Sequence, residues 1–127
     1  MQGKYLFEYA IIRIVPRVER EEFLNAGIIL YCKDRKFLDA KYILNKDRIS
    51  ALCTEVDCVE VEEHLQSIEK IARGKKDGGP IAALDLPSRF RWLAATRSTI
   101  IQTSKVHPGF CDDPQQTLEK LFTQLVL

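Results

Sequence analysis

The sequence predicts an α+β fold, with residues 1–127 forming a single domain built on a three- or four-stranded, mainly antiparallel sheet packed with helices. Three observations predict it. The length of 127 residues suits one domain with its own core. Residues 5–43 carry strand-like runs separated by short polar turns, and from residue 45 onward the apolar spacing becomes mostly helical.

The first strand is predicted at Tyr5–Val15. Its alternate residues are apolar on both sides, with Tyr5, Phe7, Tyr9 and Ile11 on one face and Leu6, Ala10, Ile12 and Ile14 on the other. A strand of this kind lies in a sheet covered on both faces, or in one whose second face is covered by another chain. Pro16 is expected to end it, because proline has no N–H for the strand ladder.

The next elements form a predicted hairpin. Val18–Leu24 is expected to make a one- or two-turn helix, and Asn25–Gly27 a turn. Gly27–Cys32 is the second strand, and Lys33–Lys36 is a polar turn. The third strand, Phe37–Ile43, alternates apolar with charged residues, which places it at or near an edge of the sheet.

Two helices are predicted after the hairpin, a short one at Asp47–Thr54 and a longer amphipathic one at Cys58–Arg73, with Gly74 as its stop. Residues 75–80 form a polar loop rich in glycine. A third helix is predicted at Pro87–Ala95, with proline in its first turn.

The last third of the chain is less regular. Ser98–Val106 either continues the third helix or forms a fourth strand, and the β-branched residues favour the strand. His107-Pro-Gly is expected to be a break. Asp113 is predicted to cap a final helix over Gln115–Val126.

Composition and charge exclude several protein classes. A net charge of +1 argues against a dedicated nucleic-acid coat. No apolar run approaches the roughly 18 residues of a membrane span, and no secretion signal is evident, so we expect a cytoplasmic protein without a membrane partner. The four cysteines lack the Cys-x-x-Cys spacing of a zinc knuckle and are expected to be free thiols, and no metal or cofactor is predicted.

The charges are unevenly distributed along the chain. Residues 55–69 contain six acids and no Lys or Arg, whereas residues 70–105 contain eight bases against two acids. A basic surface around Phe90 and Trp92 could bind a phosphate backbone or an acidic protein, and the simpler interpretation is a solvated face with Trp92 in the core. The candidate binding residues from this region are Lys75, Lys76, Arg89, Arg91 and Arg97.

No catalytic pattern is present in the sequence. It has two histidines, no G-x-S-x-G elbow, no P-loop and no H-E-x-x-H motif, so no catalytic residue is predicted and a non-enzymatic role is favoured over a small enzyme of unknown type.

Arg13 and Arg17 lie in the segment RIVPRVEREEF, residues 13–23, and have two interpretations. They can be structural, extending from the strand end to an acid such as Glu21 or Glu22. Alternatively, they anchor a carboxylate or phosphate of a partner. The structural interpretation is favoured, because a half-buried arginine needs a partner in either case.

A longer segment, YAIIRIVPRVEREEFLNAGIILYC at residues 9–32, resembles the head of a bacterial family of short proteins catalogued only as a domain of unknown function. Later segments resemble it too: Arg91-Trp92-Leu93, Arg97–Gln102, His107-Pro-Gly and Leu121-Phe122. The resemblance implies a gene that often lies beside one for a HipA-like kinase, and hence a toxin–antitoxin or defence-like pair. It implies no active-site residues.

We therefore expect a protein-interaction module whose partner is a HipA-like kinase. The alternative is a nucleic-acid binder that uses the basic surface of residues 70–105. The sequence leaves a homodimer open.

Overall fold

An antiparallel sheet forms the centre of the computed structural model, which describes residues 3–96 and 100–127. Its strands are β1 (Tyr5–Ile14), β2 (Leu24–Cys32), β3 (Phe37–Tyr42), β4 (Ile101–Thr103) and β5 (His107–Cys111). The order across the sheet is β3–β2–β1, and both β4 and β5 pair with the far edge of β1. The predicted α+β class, the β2–β3 hairpin and the edge position of β3 are confirmed.

Four α-helices pack on this sheet within the described ranges. They are α1 (Lys46–Leu52), α2 (Cys58–Arg73), α3 (Leu86–Ala94) and α4 (Pro114–Leu125). Each begins at a side chain that accepts backbone N–H groups of the first turn, namely Asn45, Asp57, Asp85 and Asp113. The prediction for α2 is confirmed at both ends, and Asp113 caps α4 as expected.

The residues after β1 differ from the prediction. Pro16 follows the strand end as expected, but only Val18–Arg20 is helical, as one 3-10 turn. The predicted turn at Asn25–Gly27 is wrong, because these residues belong to β2 and pair with β1 across a bulge at Ala26. Asn25 and Gly27 favour turns locally, and long-range pairing overrides that preference.

The end of the sheet contains an unpredicted strand. The strand within Ser98–Val106 is confirmed only for its described part, Ile101–Thr103. His107–Cys111 was expected to begin with a break, and it forms β5 instead. Pro108 fits there because β5 pairs with β1 on one side and lies at an edge of the described sheet, where a missing N–H costs least.

Two cores cover the two faces of the sheet. On one face α1, α2 and α3 pack over residues such as Ile12, Ile29 and Ala40. On the other face α4 packs over β2 and β3 through Leu118 and Phe122. The chain itself therefore covers both faces of β1 in part, as the two-faced apolar pattern predicted. Within the described residues, no helix has the length and apolar character needed to cross a membrane.

Candidate functional site

A groove lies between α3 and the sheet, beside β5. Its volume is about 320 Å³, and its lining is mostly apolar: Glu8, Tyr31, Pro87, Phe90, Arg91, Ala94, Ala95 and Val106. Phe90 forms the floor with Tyr31, since the two rings stack with centroids 5.2 Å apart. We call these eight residues the α3 groove.

The spacing of residues along α3 explains its side of the groove. Pro87, Phe90, Arg91 and Ala94 are three, one and three positions apart, which places them on one side of a helix. Phe90 is buried and Arg91 is exposed at the rim. Arg91 makes no salt bridge with any residue in 3–96 or 100–127, so its charge is available to a partner.

Two exposed apolar residues lie beyond the groove along the sheet. Leu6 and Phe110 are cross-strand neighbours in β1 and β5, on the same sheet face as Glu8 and Pro108. Leu6 is 49% exposed and Phe110 is 52% exposed. Exposed apolar side chains that adjoin an apolar groove are typical of a binding surface, whereas single ones are common on any protein.

The segment that carries the family-like signature lines a second cavity, of about 330 Å³. It lies between the 3-10 turn and the end of α1, and its lining residues are Pro16, Arg17, Arg20, Glu22, Ser50, Ala51, Leu52, Cys53, Thr54 and Glu55. Arg17 meets Glu55 at 3.3 Å, and Arg20 donates a hydrogen bond to Glu22 that lowers the pKa of this carboxyl. The acid that pairs with Arg17 is therefore Glu55, and the expected pairing with Glu21 or Glu22 is wrong.

Arg13 has a different environment from Arg17. Its side chain is half-buried on the α4 side of the sheet, and its Cζ lies 4.1 Å from the ring centroid of Phe23. The buried Nε has no hydrogen-bond partner, and no carboxylate among the described residues pairs with the guanidinium. The acid partner expected for Arg13 is therefore absent from residues 3–96 and 100–127. The ring of Phe23 lies against the guanidinium instead.

The candidate residues of the basic segment occupy separate places. Lys75 and Lys76 are exposed around the 3-10 turn after α2. Arg89 is half-buried, and its Nη1 donates to the carbonyl of Ala82 at 3.4 Å. Arg91 is at the α3 groove, and Arg97 lies outside the described residues. Arg89 is thus packed within the fold instead of extending a basic surface.

The environments of the thiols do not indicate catalysis. All four cysteines are free, and the described ranges contain no cluster of three or more His, Cys, Asp or Glu residues that could hold a metal. Burial raises the pKa of the Cys111 thiol, and the nearby Cys32 adds to the effect. A thiol that is harder to ionise is a weak nucleophile.

Leu6, Val106 and Phe110 were not predicted from the sequence as surface residues. A signal was present, because Val106, Pro108 and Phe110 alternate with His107 and Gly109 at the spacing of two that marks a strand. Pro108 and Gly109 are residue types that are uncommon in strands, so the pattern was interpreted as a break. The open apolar surface itself depends on where α3 ends relative to β5, and no local pattern encodes that.

Comparisons with known proteins place the chain in a family. Residues 9–126 match the model of a family described as a protein of unknown function, DUF3037. No curated protein and no solved structure matched. Since the match spans nearly all of the 127 residues, the chain belongs to the DUF3037 family.

Proposed function

We propose that this protein is a non-enzymatic interaction module that binds a protein partner at the α3 groove, and that the partner is a HipA-like kinase in a bacterial two-protein system. The main support for this docking site is the mostly apolar α3 groove, with the exposed Leu6 and Phe110 beyond Glu8 on the same sheet face. Arg91 at its rim forms no salt bridge with a described residue. The choice of kinase rests on the family resemblance in the signature segment.

The composition of this surface supports a protein ligand. Protein interfaces combine an apolar centre with a polar rim, and aromatic residues and arginine contribute most of their binding energy. Phe110 and Leu6 provide exposed apolar area, while Arg91 and Glu8 provide charge at the groove. A complementary partner surface presents apolar side chains and a carboxylate that pairs with Arg91.

Calorimetric titration of the purified protein with the HipA-like kinase of the same organism tests the proposal. The variants are Phe110→Ser and Arg91→Ser, and Val59→Ser is the matched control, because Val59 is 69% exposed on α2 and lines no part of the groove. We expect saturable binding, a loss of roughly tenfold or more in affinity for each groove variant, and no change for the control.

Other results would contradict the proposal. Absence of binding would exclude the kinase as the partner. Equal affinities for the control and both groove variants would exclude the α3 groove as the docking site. Self-association in sedimentation experiments that is lost in Phe110→Ser would show that a second copy of this chain occupies the surface.

A further inference from the structure

A second surface lies on the opposite face of the sheet, next to α4. Tyr9, Ile11 and Arg13 alternate along β1 on this face, and the register pairs Tyr9 with His107 of β5 and Arg13 with Gln102 of β4. The ring of Phe23 lies against Arg13. We call these residues the β1 platform: Tyr9, Ile11, Arg13, Phe23, Gln102 and His107.

The platform is only partly covered because α4 lies over β2 and β3. On β2, Ile28 and Leu30 are fully buried, whereas Tyr9, Ile11 and Arg13 of β1 remain half-buried. Phe23 is 47% exposed. The fold thus leaves aromatic rings and one arginine accessible on the surface of the sheet.

The guanidinium of Arg13 has unused hydrogen-bonding capacity. It carries five N–H donors, and the contact with Phe23 offers attraction to its charge but no conventional acceptor. Its Nε is buried and has no hydrogen-bond partner among the described residues. None of the six platform residues is acidic, and no described residue forms a salt bridge with Arg13. A phosphate group, which guanidinium groups bind through paired hydrogen bonds, would complement this charge.

The aromatic pair indicates what accompanies the phosphate. The rings of Tyr9 and His107 are tilted by 32° with centroids 5.3 Å apart. Aromatic side chains on an open sheet are stacking surfaces for unpaired bases. Tyr9 and Arg13 are four residues apart on β1, roughly 13 Å at the usual rise of a strand. That separation is longer than the distance from base to phosphate within one nucleotide. It suits a single-stranded nucleic acid of two or more nucleotides.

We propose that the β1 platform binds single-stranded nucleic acid, with a base stacked at Tyr9 and His107 and a phosphate bound to Arg13. This site differs from the α3 groove, which lies on the opposite sheet face, and it uses none of the basic residues of the 70–105 segment. An acidic peptide satisfies Arg13 equally well, but it makes no use of the Tyr9–His107 pair.

Fluorescence anisotropy with labelled decanucleotides of RNA and of DNA tests the proposal. The variants are Arg13→Gln, Tyr9→Leu and Phe23→Leu, and the matched control is Lys33→Gln, which removes the same charge from an exposed site in the turn between β2 and β3. We expect Tyr9→Leu to weaken binding about tenfold. Arg13→Gln should weaken it and lower the slope of log affinity against log salt by about 0.7, the value for one phosphate contact on a single strand. Lys33→Gln should leave affinity nearly unchanged.

Thermal melting of each variant identifies any loss of folding. If Arg13→Gln does not fold, Arg13→Lys replaces it: lysine keeps the charge but lacks the paired donors of the guanidinium, so affinity should fall while the salt slope stays the same. Equal weakening by Arg13→Gln and Lys33→Gln would show non-specific attraction and overturn the proposal. Absence of binding at low salt would also overturn it. Competition by an oligoglutamate peptide as effective as that by unlabelled oligonucleotide would assign the platform to an acidic peptide instead.

Discussion

The guanidinium of Arg89 occupies the space beside Gly74 that any larger residue at that position would need. A Cβ built on Gly74 would lie 2.0 Å from Nη1 of Arg89. Gly74 has φ of 67° and ends α2 in the left-handed region, and Arg89 lies near the carbonyl end of that helix. A cation there is favoured by the helix dipole, so this contact joins α3 to the end of α2.

Gly74→Ala should destabilise the protein for two reasons. The left-handed backbone costs an alanine about 1–2 kcal/mol, and the new methyl group displaces Arg89. Urea unfolding of both single variants and of the double variant with Arg89→Ala measures the second effect. We expect Gly74→Ala to cost roughly 0.5–2 kcal/mol less when Arg89 is absent. Strictly additive costs would show that the two residues do not interact.

Gly109→Ala should destabilise β5 through overpacking. An added Cβ would lie 2.5 Å from Cζ of Phe7, a buried ring in the core beneath α4. We expect a loss of about 1–3 kcal/mol in the free energy of unfolding. The variant Phe7→Leu leaves room for the methyl group, so the double variant should be more stable than the sum of the two single effects predicts. Denaturant titration of all three variants checks this. A double variant whose loss in free energy of unfolding equals the sum of the two single losses would refute it.

Ser104→Ala should weaken the junction of β4 and β5. The buried hydroxyl of Ser104 accepts the backbone N–H of Ile11 at 2.8 Å and donates to the carbonyl of Lys105 at 2.9 Å. Alanine leaves that N–H without a partner, which costs about 1–3 kcal/mol. Hydrogen exchange should show faster exchange of the Ile11 amide. Thr123→Ala, at an exposed site on α4, is the control and should leave stability nearly unchanged.

Tyr42 should make stability fall in alkaline solution. Burial, together with Glu62 and Glu69, raises the pKa of Tyr42 to about 12, above its usual value near 10. Below pH ~10 the phenol is neutral in both the folded and unfolded states; above it the unfolded state ionises first, so stability declines until the pH passes about 12. The free energy of unfolding of Tyr42→Phe should therefore fall less steeply with pH in that window, by up to about 1.4 kcal/mol per pH unit. Urea unfolding at several pH values measures the difference, and parallel curves for the two proteins would contradict it.

Features set by neighbouring residues could be predicted from the sequence. The bounds of α2 follow from the Asp57 cap, the apolar stripe and the Gly74 stop, all within one short segment. The two apolar faces of β1 predicted a sheet covered on both faces, by this chain or by another; α1, α2 and α3 cover one face, and α4 covers the other only in part. Arg13, Arg17 and Arg91 were also identified as candidate binding residues from their sequence context.

The tertiary structure decided which of those candidates are exposed and which residues join them. Arg89 is packed against Gly74, and Arg17 pairs with Glu55, because the positions of α3 and α1 bring distant residues together. Asn25–Gly27 and His107–Gly109 carry turn-forming residues, but pairing with β1 makes them strands. The α3 groove and the β1 platform arise where helices stop covering the sheet. The physical reason is that long-range packing determines their exposure, whereas local sequence determines only the helix or strand on which each residue lies.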